Sequence, residues 1–202
     1  MSQKTIWHEH PVNKSIRSEM KAQKPFVLWF TGLSGAGKST LAGEVERLLT
    51  NQNKHTYLLD GDNVRRGLCS DLAFSEEDRA ENIRRISEVS KLMLDAGMIV
   101  LAAFISPIQS HRSLARRMFQ DNEFIEVFVD TSLAECEKRD VKGLYRKARS
   151  GEVKGFTGID AEYEVPSNPE IHIQGEGGTV KEHAELVMGY LHKHGYVENT
   201  CK

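Results

Sequence analysis

The run Gly32-Leu33-Ser34-Gly35-Ala36-Gly37-Lys38-Ser39-Thr40 constrains this chain more than any other feature. It satisfies G-x-x-x-x-G-K-[ST]. The apolar run 26–31 precedes it, and Leu41, Val45, Leu48 and Leu49 follow as the stripe of a helix packing back onto a sheet. Glycines at 32, 35 and 37 let the backbone curl so that successive N–H groups converge on an anion, and the helix N-terminus adds its positive end. In such a loop Lys38 reaches the β- and γ-phosphates and Ser39 offers its hydroxyl to Mg²⁺. The motif predicts a P-loop nucleotide binder, and leaves switch GTPase, ATP-driven machine and small-molecule kinase open.

Short apolar runs alternate with helical patterns along the chain, the signature of βαβ units around a mostly parallel sheet. Strands are expected at 26–31, 55–60, 98–105, 124–129 and, weakly, 170–173, the first four of them buried. Val180, Ala184, Val187, Met188 and Leu191 form a second helical stripe. At 202 residues, with no repeat and no Pro- or Ser-rich linker, the α/β chain reads as one domain over 26–202 behind a polar arm, 1–25. In that arm Trp7, His8 and His10 read as surface, since His-x-His has no third metal ligand nearby. A balance of 27 basic against 29 acidic side chains argues against a nucleic-acid binder. No apolar run is long enough to span a membrane, and Met1 to Thr5 lacks the character of a secretion signal, so a cytoplasmic location is expected. Cys69, Cys136 and Cys201 are odd in number and far apart, which predicts free thiols.

A guanine-reading Asn-Lys-x-Asp element is missing: Asn53-Lys54-His55-Thr56 ends in Thr. The run 98–105 ends in Ser106-Pro107 rather than in the acid that motor ATPases usually place after a later strand. Carboxylates instead follow the second strand, in Asp60-Gly61-Asp62-Asn63, where open α/β sheets hold ligands. There a carboxylate can hold a water on the metal or accept a proton from an attacking hydroxyl. Ser75 and Asp78 predict a capping box opening a long helix. At about 100° per residue, Arg79, Asn82, Ile83 and Ile86 share its inward face, while Arg84 and Arg85 point elsewhere. An inward Arg and Asn need a partner, either an anionic ligand or an internal acid. Arg65 and Arg66 also suit an anionic acceptor. The basic stretch Lys138, Arg139, Lys142, Arg146, Lys147 and Arg149, answered within it by Asp140, reads as a lid over about 138–160 that excludes water. Two rival readings stand beside this one: a P-loop kinase for another small anion, and a nucleotide-dependent binding module that turns over no acceptor.

Together these residues resemble the adenylylsulfate kinase family. The likeness runs through the P-loop, Asp60-Gly61-Asp62-Asn63-Val64-Arg65, Phe74-Ser75 with Asp78-Arg79 and Glu81 to Arg85, Phe104-Ile105-Ser106-Pro107, Lys142-Gly143-Leu144-Tyr145 and Gly155 to Asp160, with Trp7-His8-Glu9-His10 at its start. It covers nearly all of 7–173. It implies a three-layer P-loop kinase fold with five strands and a basic lid, transfer of the γ-phosphoryl of MgATP to the 3′-hydroxyl of adenylylsulfate, and a homodimer. Carried over by position, the acceptor contacts fall on Asp62, Arg65, Phe74, Arg79, Asn82, Ile105, Ser106, Lys142, Gly155 and Phe156, with the two aromatics clamping the acceptor adenine. Lys38, Asp62 and Ser106 are the implied catalytic set. The family's serine at Ser106 is commonly regarded as a phosphoserine intermediate, whereas direct in-line transfer between two bound nucleotides requires none. Ala36 stands where many members have Ser, and Ala73 where Gly often precedes the Phe; the latter suits a backbone without positive φ. Replacing Lys38 by Ala is expected to lower kcat by roughly 100- to 1000-fold in an ADP-release assay. Turnover within a few-fold of wild type contradicts the role.

Overall fold

The computed structural model describes residues 8–198, so the expectations for Met1 to Thr5, Trp7 and Cys201 lie outside the described residues. Strand β1 (Val27–Thr31) is buried at every position, and the sheet grows outward from it. β3 (Ile99–Ala103) and β4 (Phe124–Asp130) flank it, β2 (Thr56–Asp60) closes the edge beyond β3, and β5 (Ile171–Gln174) closes the edge beyond β4. Every pairing is parallel, with Val27 opposite both Val100 and Phe124. The sheet expected to be mostly parallel is thus wholly so. Alternation along β1 sorts the core: Phe26, Leu28 and Phe30 meet Leu41, Val45 and Leu49 of α2 (Lys38–Asn51) and Val187 and Leu191 of α8 (Val180–Lys193). Val27 and Trp29 meet Ile83 and Ile86 of α4 (Glu76–Asp95) and Ala115 of α5 (Gln109–Arg116). Helices on both faces make three layers and explain why the central strands read as unbroken apolar runs.

Three expectations change. β2 is not buried; Leu59 alone is, and Tyr57 is half exposed, because this strand is a sheet edge. The third strand stops at Ala103, short of 105, because Ser106 has φ +39° and Pro107 follows it. The capping box at Ser75 is only half made: its hydroxyl accepts from the Asp78 N–H at 3.1 Å, while the Asp78 carboxylate accepts from Ala73 N–H at 3.1 Å. A reciprocal box forms instead at Thr179 and Glu182, opening α8. Ala73 is not among the positive-φ residues, so its Cβ brings no strain.

The arm contains α1 (Lys14–Met20), capped by Asn13. Lys14 pairs with Glu123, Arg17 donates to the Asp95 carbonyl at 3.1 Å, and Gln23 reaches Gly97 O at 2.7 Å. Gln23 and Gly97 thus tie the arm to the N-terminal end of β3, opposite the edge that carries the loops. His8 and His10 are exposed, and no group of three metal-ligating side chains occurs among the described residues. No described helix is long and apolar enough to cross a membrane. Leu49 is fully buried between α2 and the sheet. Leu49→Ala is expected to cost about 2–5 kcal/mol in denaturant unfolding, whereas Leu186→Ala on the exposed face of α8 is expected to stay within about 0.5 kcal/mol.

Candidate functional site

Because all strands run the same way, the P-loop after β1, Asp60 at the end of β2, the turn at Ser106 after β3 and the segment after β4 gather at one edge of the sheet. Gly32 has φ +147°, and a Cβ there would lie 2.5 Å from the Val129 carbonyl oxygen, so only glycine lets the loop leave β1 this close to β4. Gly37, with φ +102°, precedes α2 without any side-chain cap, which leaves the first-turn N–H groups free for an anion. The Ala36 carbonyl is held from outside by the Thr131 hydroxyl at 3.0 Å.

Lys38 is 7% exposed, and its ammonium donates to the carbonyls of Gly32 at 2.9 Å and Leu33 at 2.6 Å. Burial pushes its pKa down to about 8, because two neutral carbonyls replace water poorly around a charge. A phosphate supplies the opposite charge that these carbonyls lack. Ser39 Oγ donates to Asp60 Oδ2 at 2.5 Å, and the other Asp60 oxygen caps α3 (Gly61–Val64) through Asp62 N–H at 3.0 Å. The sequence treats Asp60 and Asp62 as one acidic pair; the fold separates them. Asp60 joins the P-loop serine, whereas Asp62 is exposed and ion-paired with Lys142.

The basic segment is not a field of unpaired charge. It spans the end of α6 (Leu133–Arg139) and α7 (Leu144–Arg149). Arg139 pairs with Glu135, Arg149 with Glu137 and Lys147 with Glu152. Asp140, read from sequence as the internal counter-charge, instead accepts from the N–H groups of Tyr145 and Arg146 at the start of α7. Arg84 and Arg85, whose outward direction left surface positions or ion pairs open, form ion pairs, sharing Glu81 and holding that carboxyl down at about 2.

Arg79 does not meet an internal acid, one of the two partners the sequence leaves open, in any ion pair among the described residues. Its guanidinium donates to the Phe74 carbonyl at 2.9 Å, the Thr157 hydroxyl at 2.8 Å and the Gly155 carbonyl at 2.6 Å, all neutral oxygens. Gly155 and Phe156 N–H groups in turn donate to Asp160, and these bonds hold its carboxyl below the usual range. Asn82 is 5% exposed, and its side-chain oxygen is buried with no protein partner. The two aromatics differ: Phe74 is 66% exposed with the Arg65 guanidinium 4.4 Å above its ring, while Phe156 is half-buried against Tyr145. Ile105 lends its carbonyl to the Thr31 hydroxyl at 2.8 Å. Ser106 is buried, with Oγ accepting from Trp29 Nε1 at 3.1 Å and donating to Thr31 at 3.0 Å; Arg112 holds its carbonyl at 2.7 Å. The hydroxyl is therefore turned into the sheet. Sequence reasoning missed Arg112, Thr157, Asp160 and the distinct place of Asp60, since no local spacing signals contacts made between loops. Gly32→Ala is expected to weaken binding of a fluorescent ADP analogue at least about tenfold with helix content retained, through the clash with Val129.

The adenylylsulphate kinase family model matches residues 24–174. An adenylyl-sulfate kinase of Aeromonas salmonicida (strain A449) is 58% identical over 192 residues, covering 95% of this chain and 98% of its own length. Among solved structures, the Mycobacterium tuberculosis APS kinase in complex with AMPPNP and APS superposes with a TM-score of 0.81 at 49% identity, covering 84% of this chain and 98% of that one. A hexameric APS kinase from Thiobacillus denitrificans gives 0.67 at 33% identity, covering 90% of this chain and 31% of that one. The match in sequence extends over both the phosphate loop and the segments that face it, and on that ground the chain belongs to the adenylylsulphate kinase family.

Proposed function

We propose that this chain transfers the γ-phosphoryl group of ATP to the 3′-hydroxyl of adenosine 5′-phosphosulfate, giving 3′-phosphoadenylylsulfate and ADP. The observation that carries this reading is the pairing of an uncapped P-loop with a second polar cluster, in which the Asn82 oxygen lacks a donor and the Arg79 guanidinium lacks an ion pair among the described residues. The Asn82 oxygen is unpartnered, and the Arg79 charge is met only by neutral oxygens. A buried polar atom such as the Asn82 oxygen costs free energy unless a ligand completes it. Family membership and the ligands named for the mycobacterial structure support the same assignment.

In this reading Gly32 to Thr40 cradle the donor phosphates, and Lys38 leaves its two carbonyls to follow the charge of the transferring group. Ser39, with Asp60 beside it, presents the hard oxygen donors that suit Mg²⁺, which when bound neutralises phosphate charge. Asp62 orients the 3′-hydroxyl and takes its proton as the oxygen bonds to phosphorus and the bond to ADP breaks. Lys142, paired with Asp62 here, is carried by the lid and brings positive charge to the same place. Arg65, Arg79 and the amide N–H groups of Asn82 bind the acceptor's anionic groups, the Asn82 oxygen takes a donor of the acceptor, Phe74 and Phe156 hold its base, and Ile105, Ser106 and Gly155 complete the wall. Ser106 contributes through the turn it makes, its hydroxyl being committed to Trp29 and Thr31. The division into arm 1–25 and domain 26–202 with a lid at 138–160, a cytoplasmic location and a homodimer belong to the same proposal.

Purified chain, MgATP and adenylylsulfate are expected to release ADP in a coupled assay only when the acceptor is present. Preference for a sugar acid or a nucleoside monophosphate overturns the assignment. In the same assay Arg79→Lys is expected to raise the KM for adenylylsulfate about tenfold, since charge is kept while the forked donor is lost. An unmoved KM makes Arg79 a purely structural residue.

A further inference from the structure

Tyr145 lies between the two halves of the site and takes no part in the chemistry proposed above. It is 3% exposed. Its hydroxyl donates to the Ser34 carbonyl at 2.8 Å, and its ring meets Phe156 edge-on, with centroids 5.0 Å apart and planes at 79°. Ser34 belongs to the phosphate loop, and Phe156 to the segment assigned to the acceptor base. Both ends are anchored: the Tyr145 N–H is held by Asp140 at 3.0 Å, the Phe156 N–H by Asp160 at 2.5 Å. Leu33, next to Ser34, comes so close to the same segment that a Cβ on Gly158 would lie 3.1 Å from its side chain. A hydrogen bond and an edge-to-face aromatic contact are both directional, so a shift of the Ser34 carbonyl is transmitted to the Phe156 ring.

We propose that Tyr145 is a positioning residue that couples the phosphate loop to the acceptor pocket. A nucleotide that orders the loop fixes Tyr145 and, through it, the Phe156 ring, so adenylylsulfate binds more tightly to the nucleotide-loaded protein. By linkage the acceptor tightens nucleotide binding by the same factor. This inference rests on the function proposed above.

The test is calorimetric titration of the full chain with adenylylsulfate, with and without saturating AMPPNP, and with AMPPNP, with and without adenylylsulfate. Wild type is compared with Tyr145→Phe, which keeps the ring and removes only the hydroxyl. In wild type AMPPNP is expected to tighten adenylylsulfate about fivefold or more, a size fitting one buried neutral hydrogen bond, with a matching reciprocal effect. In Tyr145→Phe the ratio is expected to fall below about twofold, while adenylylsulfate binding to the nucleotide-free protein stays within about twofold of wild type. A wild-type ratio near one, an unchanged ratio in the variant, or equal loss of both affinities with the ratio preserved each overturns the coupling. Wild type that binds AMPPNP and not adenylylsulfate overturns the proposed function instead. If circular dichroism shows that Tyr145→Phe does not fold, hydrogen exchange of the 154–161 segment in wild type decides. Slowing by AMPPNP alone supports the coupling, and unchanged exchange overturns it.

Discussion

The structure depends on a helix, α2, that begins with no side-chain cap on its first-turn N–H groups. Gly37 starts α2 with no side-chain cap, and the glycine at position 32 brings the loop against Val129, where any Cβ would collide. Leaving helix donors unmet is unfavourable in an empty protein and favourable once an anion arrives. The surrounding fold sustains that arrangement: a central strand buried on both faces, α2 packed onto it, and Thr131 holding the far carbonyl of the loop.

The same logic extends across the cleft. Lys38 donates to loop carbonyls, Arg79 to the Gly155 carbonyl and the Thr157 hydroxyl, and Lys142 alone of the three pairs with a carboxylate, that of Asp62. The contacts of Lys38 and Arg79 to neutral oxygens are weaker than a bond from the same cation to an anionic oxygen in a site that excludes water. In the proposed function, ligand binding exchanges these partners rather than creating charge pairs from solvated groups. The partners sit on two segments, Lys142 just before α7 and 155–157 facing α4.

How much of this was legible in the sequence follows from the range over which each signal acts. Strands and helices were legible because period and run length reflect burial by immediate neighbours; the weakly patterned run near 170 proved to be a strand, paired with β4. Edge position was not legible, so β2 was expected to be buried and is not. Contacts between loops were not legible: Ser106 enters the site only through the family resemblance, and the sequence does not show that Trp29 and Thr31 occupy its hydroxyl. Asp140 reads as a counter-charge in a basic run, and its carboxylate in fact caps α7.

The sequence by itself determined the α/β alternation, the phosphate loop with the helix behind it and the inward face of α4, and its motifs carried the resemblance to a kinase family. The first three depend on residue type at fixed local separation, where covalent geometry alone decides which side chains share a face. Tertiary structure alone decided which carboxylate joins Ser39, which oxygens receive Arg79, and that a buried tyrosine hydroxyl links the phosphate loop to an aromatic ring on the opposite loop. Those contacts join residues tens of positions apart, and their geometry is set by the parallel sheet that brings its loops to one edge.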